Sequence, residues 1–318
     1  MARISRRMLL TGGASTALAL GLSGLGQTAF GQNVTEQATA PNAPPKIDPA
    51  EIIIDPRVTT FDIGPADQPW RIQIGMPKVP PPAEGYSAIL ALDGNATFPM
   101  LWKMREESAP DAPVLLIGLG YPTNLRFDTE RRWYDLTSLG MTPQVLPEGG
   151  NYRPPGERPT GGRERLLQAI ANDILPEVAK RAPLDSGDLT LYGHSLGGLF
   201  VLYALMTWPN LFNRYASADP SIWWNAGEAL READAFIGGV RASGSQLAPE
   251  IEMLMSFSRG KADSPVEEIT QSQPEIFRKL SQISGLKLHY RAHPDKTHPE
   301  LIEPSLREAL DLHLGQLR

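Results

Sequence analysis

The chain has 318 residues, with 30 Lys and Arg against 36 Asp and Glu, for a formal charge of −6 at pH 7. That acidic balance argues against a nucleic-acid surface, which would carry a basic excess. The absence of cysteine excludes disulfides, thiolate catalysis, zinc–thiolate sites and iron–sulfur clusters, and the length suits one large α/β domain or two small ones.

Residues 1–31 read as an address. Arg3, Arg6 and Arg7 lead an apolar stretch from Met8 to Leu25, followed by small residues. The run Ser5-Arg6-Arg7-Met8-Leu9-Leu10 resembles a twin-arginine export signal, and Ala29-Phe30-Gly31 offers a small-x-small cleavage site. The stretch is just long enough to span a bilayer, but its glycines, serines and threonines favour a cleaved signal over a retained anchor. Cleavage removes three arginines and no acid, so the mature chain is more acidic still. Such export implies a periplasmic protein with no stable membrane insertion after processing. Residues 32–50, polar and rich in Pro and Ala, read as a flexible leader.

From residue 51 the pattern becomes that of a folded domain extending to residue 318. Val58–Ile63 and Trp70–Met76 alternate apolar and polar residues, as half-buried strands do. Ser87–Gly94 and Pro113–Gly120 are nearly continuous apolar runs, suited to strands buried on both faces. A helix between them spans Phe98–Glu107. Residues 121–162 are rich in Pro, Gly, Arg and aromatics, and a loop of that length is expected to be a substrate-side cap. Then come a helix over Gly161–Arg181, a strand over Asp188–Gly193 and a helix over Gly198–Pro209. Strands at Arg214–Ser221, Glu250–Ser258 and Leu286–His293 follow, with helices over Pro274–Ser284 and Pro299–Leu314. Strand and helix alternate. The expectation is an α/β fold: a doubly wound, mostly parallel sheet with helices on both faces and an inserted cap-like loop. Ligands bind such sheets outside the carboxyl ends of the strands.

Gly193-His194-Ser195-Leu196-Gly197 falls at one such end, between a strand and a helix. A serine on that sharp turn takes a strained backbone conformation, so its neighbours must be small. The turn also sets the hydroxyl at a helix N-terminus, where backbone dipoles favour developing negative charge. A serine hydroxyl needs a base. Of the five histidines, His194 adjoins the serine and is expected to point away from it, His289 lies in the last strand and His313 late in the last helix. His298, carried beyond the last strand and directly before a helix, is the favoured base, with His293 as the alternative. An acid between residues 196 and 297 would orient the imidazole, ideally in the turn after the penultimate strand. Asp263 is nearest that strand end, with Glu267, Glu268 or no acid at all as alternatives. The oxyanion hole needs two backbone N–H groups, expected from Leu196 and Asn95.

The segments LDGNATF, RRWYDLT, TGGRERLLQAIANDILPEV, YGHSLGGLFVLYAL, DPSIWWN and THPELIEPSL occur in this order. Together they resemble the esterase D-like branch of α/β-hydrolases, and within it the periplasmic and cytosolic esterases of tri-catecholate siderophores such as enterobactin and salmochelin. The resemblance runs from about Pro56 to the C-terminus. It implies Ser195 as nucleophile, His298 as base, and Leu196 and Asn95 as oxyanion donors, with no cofactor or catalytic metal. It also implies that Arg131 and Arg132 meet the substrate. Some of these siderophore esterases work with a Ser–His dyad. The chain departs from the pattern at Trp133-Tyr134, where smaller or basic residues are common, and at Asp219-Pro220-Ser221, where Ser-Pro-Ser is more usual.

The loop region from Tyr121 to Arg165 holds seven arginines and six acids. Arginine offers charge and a stacking face together, which suits an anionic, aromatic ferric siderophore; it is equally often paired within the protein. Of the adjacent Trp223 and Trp224, at most one can face a pocket, and Trp223 is taken as the substrate-side residue. The expectation is an exported serine esterase acting on a siderophore trilactone. A broad carboxyl or aryl esterase, an acyltransferase and a non-catalytic ligand-binding protein are the alternatives.

Overall fold

The computed structural model describes residues 48–141, 156–242, 247, 251–258 and 273–317. The signal of residues 1–31 and the leader through residue 47 lie outside them. Residues 48–50, grouped with the leader on composition, run against residues 124–126. Pro49 bridges Leu125, the Ala50 N–H donates to Asn124 O at 2.8 Å and the Arg126 N–H to Asp48 O at 2.9 Å.

The strands in chain order are β1 (Val58–Ile63), β2 (Trp70–Gly75), β3 (Tyr86–Leu92), β4 (Val114–Gly120), β5 (Leu184–His194), β6 (Arg214–Ala218), β7 (Ile251–Ser258) and β8 (Leu286–His293). They form one sheet in the order β1-β2-β4-β3-β5-β6-β7-β8. β1 and β2 pair antiparallel, as do β2 and β4; every other neighbouring pair is parallel. The central strands β3 and β4 are buried almost throughout, as their unbroken apolar runs require. At the edges, β1 and β8 are only part-buried.

The α-helices are α1 (Gly94–Ser108), α2 (Arg131–Leu136), α3 (Arg163–Ala169), α4 (Leu175–Arg181), α5 (Leu196–Thr207), α6 (Glu228–Ala242), α7 (Gln273–Leu280) and α8 (Ile302–His313). α1 and α8 cover one sheet face through Phe98, Leu101, Leu306 and Leu310. The other face is covered through Leu166, Ile170 and Val178, by α5 through Phe200 and Leu202, and by α6 and α7 through Ala233 and Ile276. Each of the Leu, Ile, Val and Phe side chains among these contributes about 1.5–3 kcal/mol on burial. α5 is apolar all round because it is enclosed all round: Leu196 through Leu205 are buried without exception.

Two expectations from the sequence are refined. The helix over Gly161–Arg181 is one rod in register but is widened at Ile170–Ile174 into a π turn between α3 and α4. Pro176 explains it: the ring cannot donate an N–H and crowds the carbonyl four residues back, at Asn172 inside the widened turn. The segment of residues 121–162 carries a short helix, α2, in its first half, and residues 142–155 lie outside the described ones.

The strand order places the site. The chain passes from β3 through α1 to β4, then returns past β3 to β5, so the winding reverses between β3 and β5. The crevice at the carboxyl ends of those two strands is the switch point where open α/β sheets bind ligands.

The back of the sheet is tied at His313, the last residue of α8. Its Nδ1 lies 2.8 Å from Thr190 Oγ1 and its Nε2 2.9 Å from Ser87 Oγ, so it joins α8 to β5 and β3. Burial pushes its pKa down to about 4. The unfolded chain then binds a proton that the folded one refuses between the ordinary value near 6.5 and 4. Stability from this residue is complete above pH 6.5 and declines as pH falls through that window, with a slope approaching about 1.4 kcal/mol per pH unit. Urea midpoints measured from pH 7 to 4 should fall, and His313→Gln should show a shallower fall over the same range.

Candidate active site

Ser195 stands between β5 and α5 with φ 61° and ψ −116°. A non-glycine residue there is strained by about 1–3 kcal/mol. The turn is locked by backbone bonds: Ser195 N–H donates to Ala218 O at 2.9 Å, and Ser221 N–H to Ser195 O at 3.1 Å. A Cβ on Gly193 would lie 2.3 Å from Gly197 O, and one on Gly198 2.7 Å from Ala218 O. Both glycines are therefore required sterically. At Gly197, by contrast, a Cβ would have its nearest neighbour, Asp93 Oδ2, at 3.6 Å, an ordinary contact. The close approach falls on Gly193 and Gly198, not on the symmetric pair either side of the serine.

Ser195 is half-buried, and its Oγ lies 3.4 Å from Ser221 Oγ. His298 arrives from the turn after β8, just before a 3-10 turn at Pro299–Leu301. Its Nδ1 is 3.0 Å from Asp219 Oδ2. His298 Nε2 has no protein hydrogen bond among the described residues. Its ring packs against His194, with centroids 4.4 Å apart. His293, the alternative base, is engaged elsewhere: its Nε2 lies 3.0 Å from Glu308 Oε1 on α8.

The carboxylate that meets His298 is none of the three expected from the sequence. Asp263, Glu267 and Glu268 lie outside the described residues, and the structure brings Asp219 to the imidazole instead. Asp219 follows β6, not the penultimate strand β7, and holds φ 40°. It is buried, and its amide donates to Ser256 O at 2.8 Å. Its Oδ1 accepts the Ser258 N–H at 2.7 Å, and its Oδ2 accepts the Ser258 hydroxyl as well as facing His298. Burial raises its pKa, but the bonds from His298 and Ser258 outweigh that, and the net shift is downward. The signal in the sequence was the departure to Asp-Pro-Ser: a carboxylate replaces a hydroxyl directly after a strand neighbouring the elbow.

The two expected oxyanion donors open their helices. Leu196 is the first residue of α5 and Asn95 the second of α1, on either side of the switch-point crevice. Neither N–H has a protein acceptor among the described residues, as expected in a first helical turn. The Asn95 side chain fixes its own turn: Nδ2 donates to Tyr121 O and Thr123 O, both at 3.0 Å, and Oδ1 accepts Tyr121 N–H at 2.8 Å.

Arg131 and Arg132, expected to meet the substrate, are bonded to internal carboxylates. Arg132 grips Asp93 with two bonds, 2.9 and 3.0 Å, and both side chains are largely buried. Arg131 bonds Asp135 at 3.2 Å and the carbonyls of Gln68 and Pro69, and it lies 5.2 Å over the Tyr121 ring. Their charge is thus matched inside the protein. Of the tryptophan pair, Trp224 is fully buried and donates to Ser138 Oγ at 2.8 Å, while Trp223 is half-buried, 6.1 Å from Trp133. Arg158 lies 5.2 Å over Trp133.

Among the described residues, His194, Asp219 and His298 group their ligand-type atoms within 4.8 Å of one another. Within that cluster His298 Nδ1 bonds Asp219 Oδ2, and the His194 ring packs on the His298 ring.

A family model described as putative esterase matches residues 66–299. The ferri-bacillibactin esterase BesA of Bacillus subtilis is 30% identical over 76% of this chain and 84% of its own. A siderophore enterobactin esterase of Emericella nidulans is 30% identical over 76% of this chain and 88% of its own. Among solved structures, the siderophore hydrolase EstA of Aspergillus nidulans superposes with a TM-score of 0.66 at 28% identity, covering 89% of this chain and 99% of that one. The fold is that of an α/β-hydrolase.

The Arg132–Asp93 pair can be tested for stability. Removing one partner leaves an uncompensated buried charge, at a cost of about 3–5 kcal/mol, whereas replacing both with apolar groups is far milder. Arg132→Leu should lower the urea midpoint sharply, and Arg132→Leu with Asp93→Leu should recover much of the loss.

Proposed function

The chain belongs to the putative esterase family, and on that footing we propose that Ser195, His298 and Asp219 together cleave a siderophore ester. The protein is a serine hydrolase of carboxylic esters. In the proposed reaction, Ser195 Oγ attacks the ester carbonyl carbon and passes its proton to His298 Nε2. The leaving alkoxide takes that proton, and an acyl-enzyme remains. Water then attacks the acyl carbon with His298 again as base, releasing the acid and restoring Ser195. The carbonyl oxygen, negative in each tetrahedral intermediate, is received by the N–H groups of Leu196 and Asn95.

One observation carries this reading: the 3.0 Å contact of His298 Nδ1 with Asp219 Oδ2, beside the Ser195 turn. A carboxylate only accepts, so Nδ1 carries the hydrogen and Nε2 presents its lone pair. Asp219, held ionised by its bonds from His298 and Ser258, then stabilises the imidazolium that forms.

The substrate reading rests on the names of the relatives, which are esterases and hydrolases of siderophores. A second reading has its own support. With Arg131 and Arg132 committed to Asp135 and Asp93, those two do not supply a cationic cradle, and Trp133 with Trp223 offers aromatic surface near Ser221. That favours an aryl or general acyl ester. The export proposal rests on Arg6-Arg7 and the apolar run behind them.

Purified enzyme should hydrolyse p-nitrophenyl butyrate and take a fluorophosphonate label, and Ser195→Ala should lose both. Asp219→Asn should lower kcat by roughly 10³–10⁴-fold with the fold intact, because the imidazole loses the partner that fixes its tautomer. Mass spectrometry of an enterobactin-type trilactone, with and without Fe³⁺, should show cleavage. Turnover of aryl esters with the trilactone untouched would replace the siderophore reading by the broader one. For export, replacing Arg6 and Arg7 by lysine should move the protein from the periplasmic to the cytoplasmic fraction; unchanged fractionation would defeat the twin-arginine reading.

A further inference from the structure

Of the glycines at the elbow, Gly193 and Gly198 carry the steric demand. His194, between Gly193 and Ser195, is a polar side chain, 7% exposed, at the last position of β5. Its Nε2 lies 2.9 Å from the backbone carbonyl oxygen of His298. A carbonyl oxygen can only accept, so this nitrogen must carry the hydrogen. The contact sets the tautomer of His194 and makes it a donor to the main chain of the residue proposed as the base.

We infer that His194 is a positioning residue, bracing the loop that carries His298 against the strand that carries Ser195. The inference rests on the Ser195–His298–Asp219 reading and deepens it. His298 sits on an exposed excursion beyond β8: Pro294 and Asp295 are exposed, and Lys296 and Thr297 are half-buried. Three bonds donated by backbone amides around this excursion are local. Lys296 N–H donates to His293 O at 3.0 Å, Thr297 N–H to Glu300 Oε2 at 2.8 Å, and Leu301 N–H to Thr297 O at 3.1 Å. None of these three reaches the nucleophile's strand. Asp219 orients the imidazole through Nδ1, and four residues on, at the start of α8, the Tyr192 hydroxyl of β5 donates to Ile302 O at 3.3 Å. The bond from His194 holds the main chain at His298 itself. Ring and main chain of His298 are then held by separate elements, the ring by the turn after β6 and the carbonyl by the end of β5.

The electrostatics agree with a donor that stays neutral. Burial, then the neighbouring His298 ring, hold the His194 pKa down at about 3. When His298 takes the serine proton, its charge forms 4.4 Å from a ring that remains uncharged. A permanently positive side chain at this position would oppose that step, since like charges at such a distance repel strongly in a partly buried site.

The test compares His194→Met, which keeps bulk and removes the donor, with His194→Gln, whose side-chain amide can donate near the place of Nε2. A displacement of about 1 Å in a catalytic group costs up to 10²-fold in rate. With p-nitrophenyl butyrate, His194→Met should lower kcat about 10–100-fold and leave KM nearly unchanged. Fluorophosphonate labelling should slow in parallel, and His194→Gln should recover most of both. Wild-type kcat in His194→Met would overturn the inference, as would equal losses in the two variants tracking an equal loss of urea midpoint, the mark of a packing role alone. Nitrogen-15 NMR of the unmodified protein tests it without a variant: His194 should show a slowly exchanging Nε2–H, and an Nδ1–H tautomer would overturn it. Retained turnover in Ser195→Ala would instead defeat the reading of the site on which this one rests.

Discussion

The backbone of Ser195 is the constraint on which the rest of the site depends. A serine at φ 61° is an unfavourable conformation, and it persists because its neighbours leave no alternative. Gly193 lies against Gly197 O, Gly198 lies against Ala218 O, and the Ser195 amide is bonded to the end of β6. α5 then runs into a fully apolar enclosure, and the burial of residues such as Phe200 and Leu202 offsets the local strain many times over. Reversing the turn would withdraw that helix from the core. The hydroxyl is thereby presented at the carboxyl edge of the sheet with little freedom to move, as a nucleophile should be.

The same edge collects buried carboxylates, and their partners distinguish structure from chemistry. Asp93 is answered by Arg132 and Asp135 by Arg131 and the Trp70 indole, so these acids are neutralised by fixed cations and donors. Among the described residues, Asp219 has no arginine partner. Its partners are the neutral Ser258, which donates twice, and an imidazole that can become charged. A carboxylate satisfied only by neutral donors keeps its charge available to whatever cation forms beside it, and in the proposed mechanism that cation is the His298 imidazolium. Arg132 serves from a distance by holding Asp93, the residue just ahead of Gly94 and Asn95, in its positive-φ turn.

What the sequence made legible follows from the range of the forces involved. Continuous apolar runs announced β3 and β4 because burial on both faces is a property of each segment alone. The elbow was legible because its glycines, serine, strand and helix lie within about twenty consecutive residues. The interior of the long Gly161–Arg181 helix was legible in phase but not in its π turn, although Pro176 was the visible cause. The partners of Arg131 and Arg132 were not legible, because charge counts cannot say whether a guanidinium meets solvent, substrate or a carboxylate nearly forty residues upstream, as Arg132 does with Asp93. His194 was expected to point away from the serine; no periodicity could reveal that it reaches the carbonyl of a residue more than a hundred positions later.

The acid shows the limit most clearly. Chain order alone directs attention to the turn after β7, but order in sequence does not measure distance across a sheet. β6 lies between β5 and β7, one strand from the nucleophile, so its carboxyl end is as well placed as that of β7 to reach a histidine arriving from β8. The Asp219 amide is bonded to Ser256 and its carboxylate to Ser258, so the side chain is steadied by β7 while belonging to β6. A serine in the Asp-Pro-Ser position would keep a hydroxyl there and lose the charge. With aspartate the same backbone site supplies the negative partner that a Ser–His pair lacks, through a single replacement and without any rearrangement of the loops. The departure from the family's Ser-Pro-Ser is, on this geometry, the substitution that completes the proposed triad.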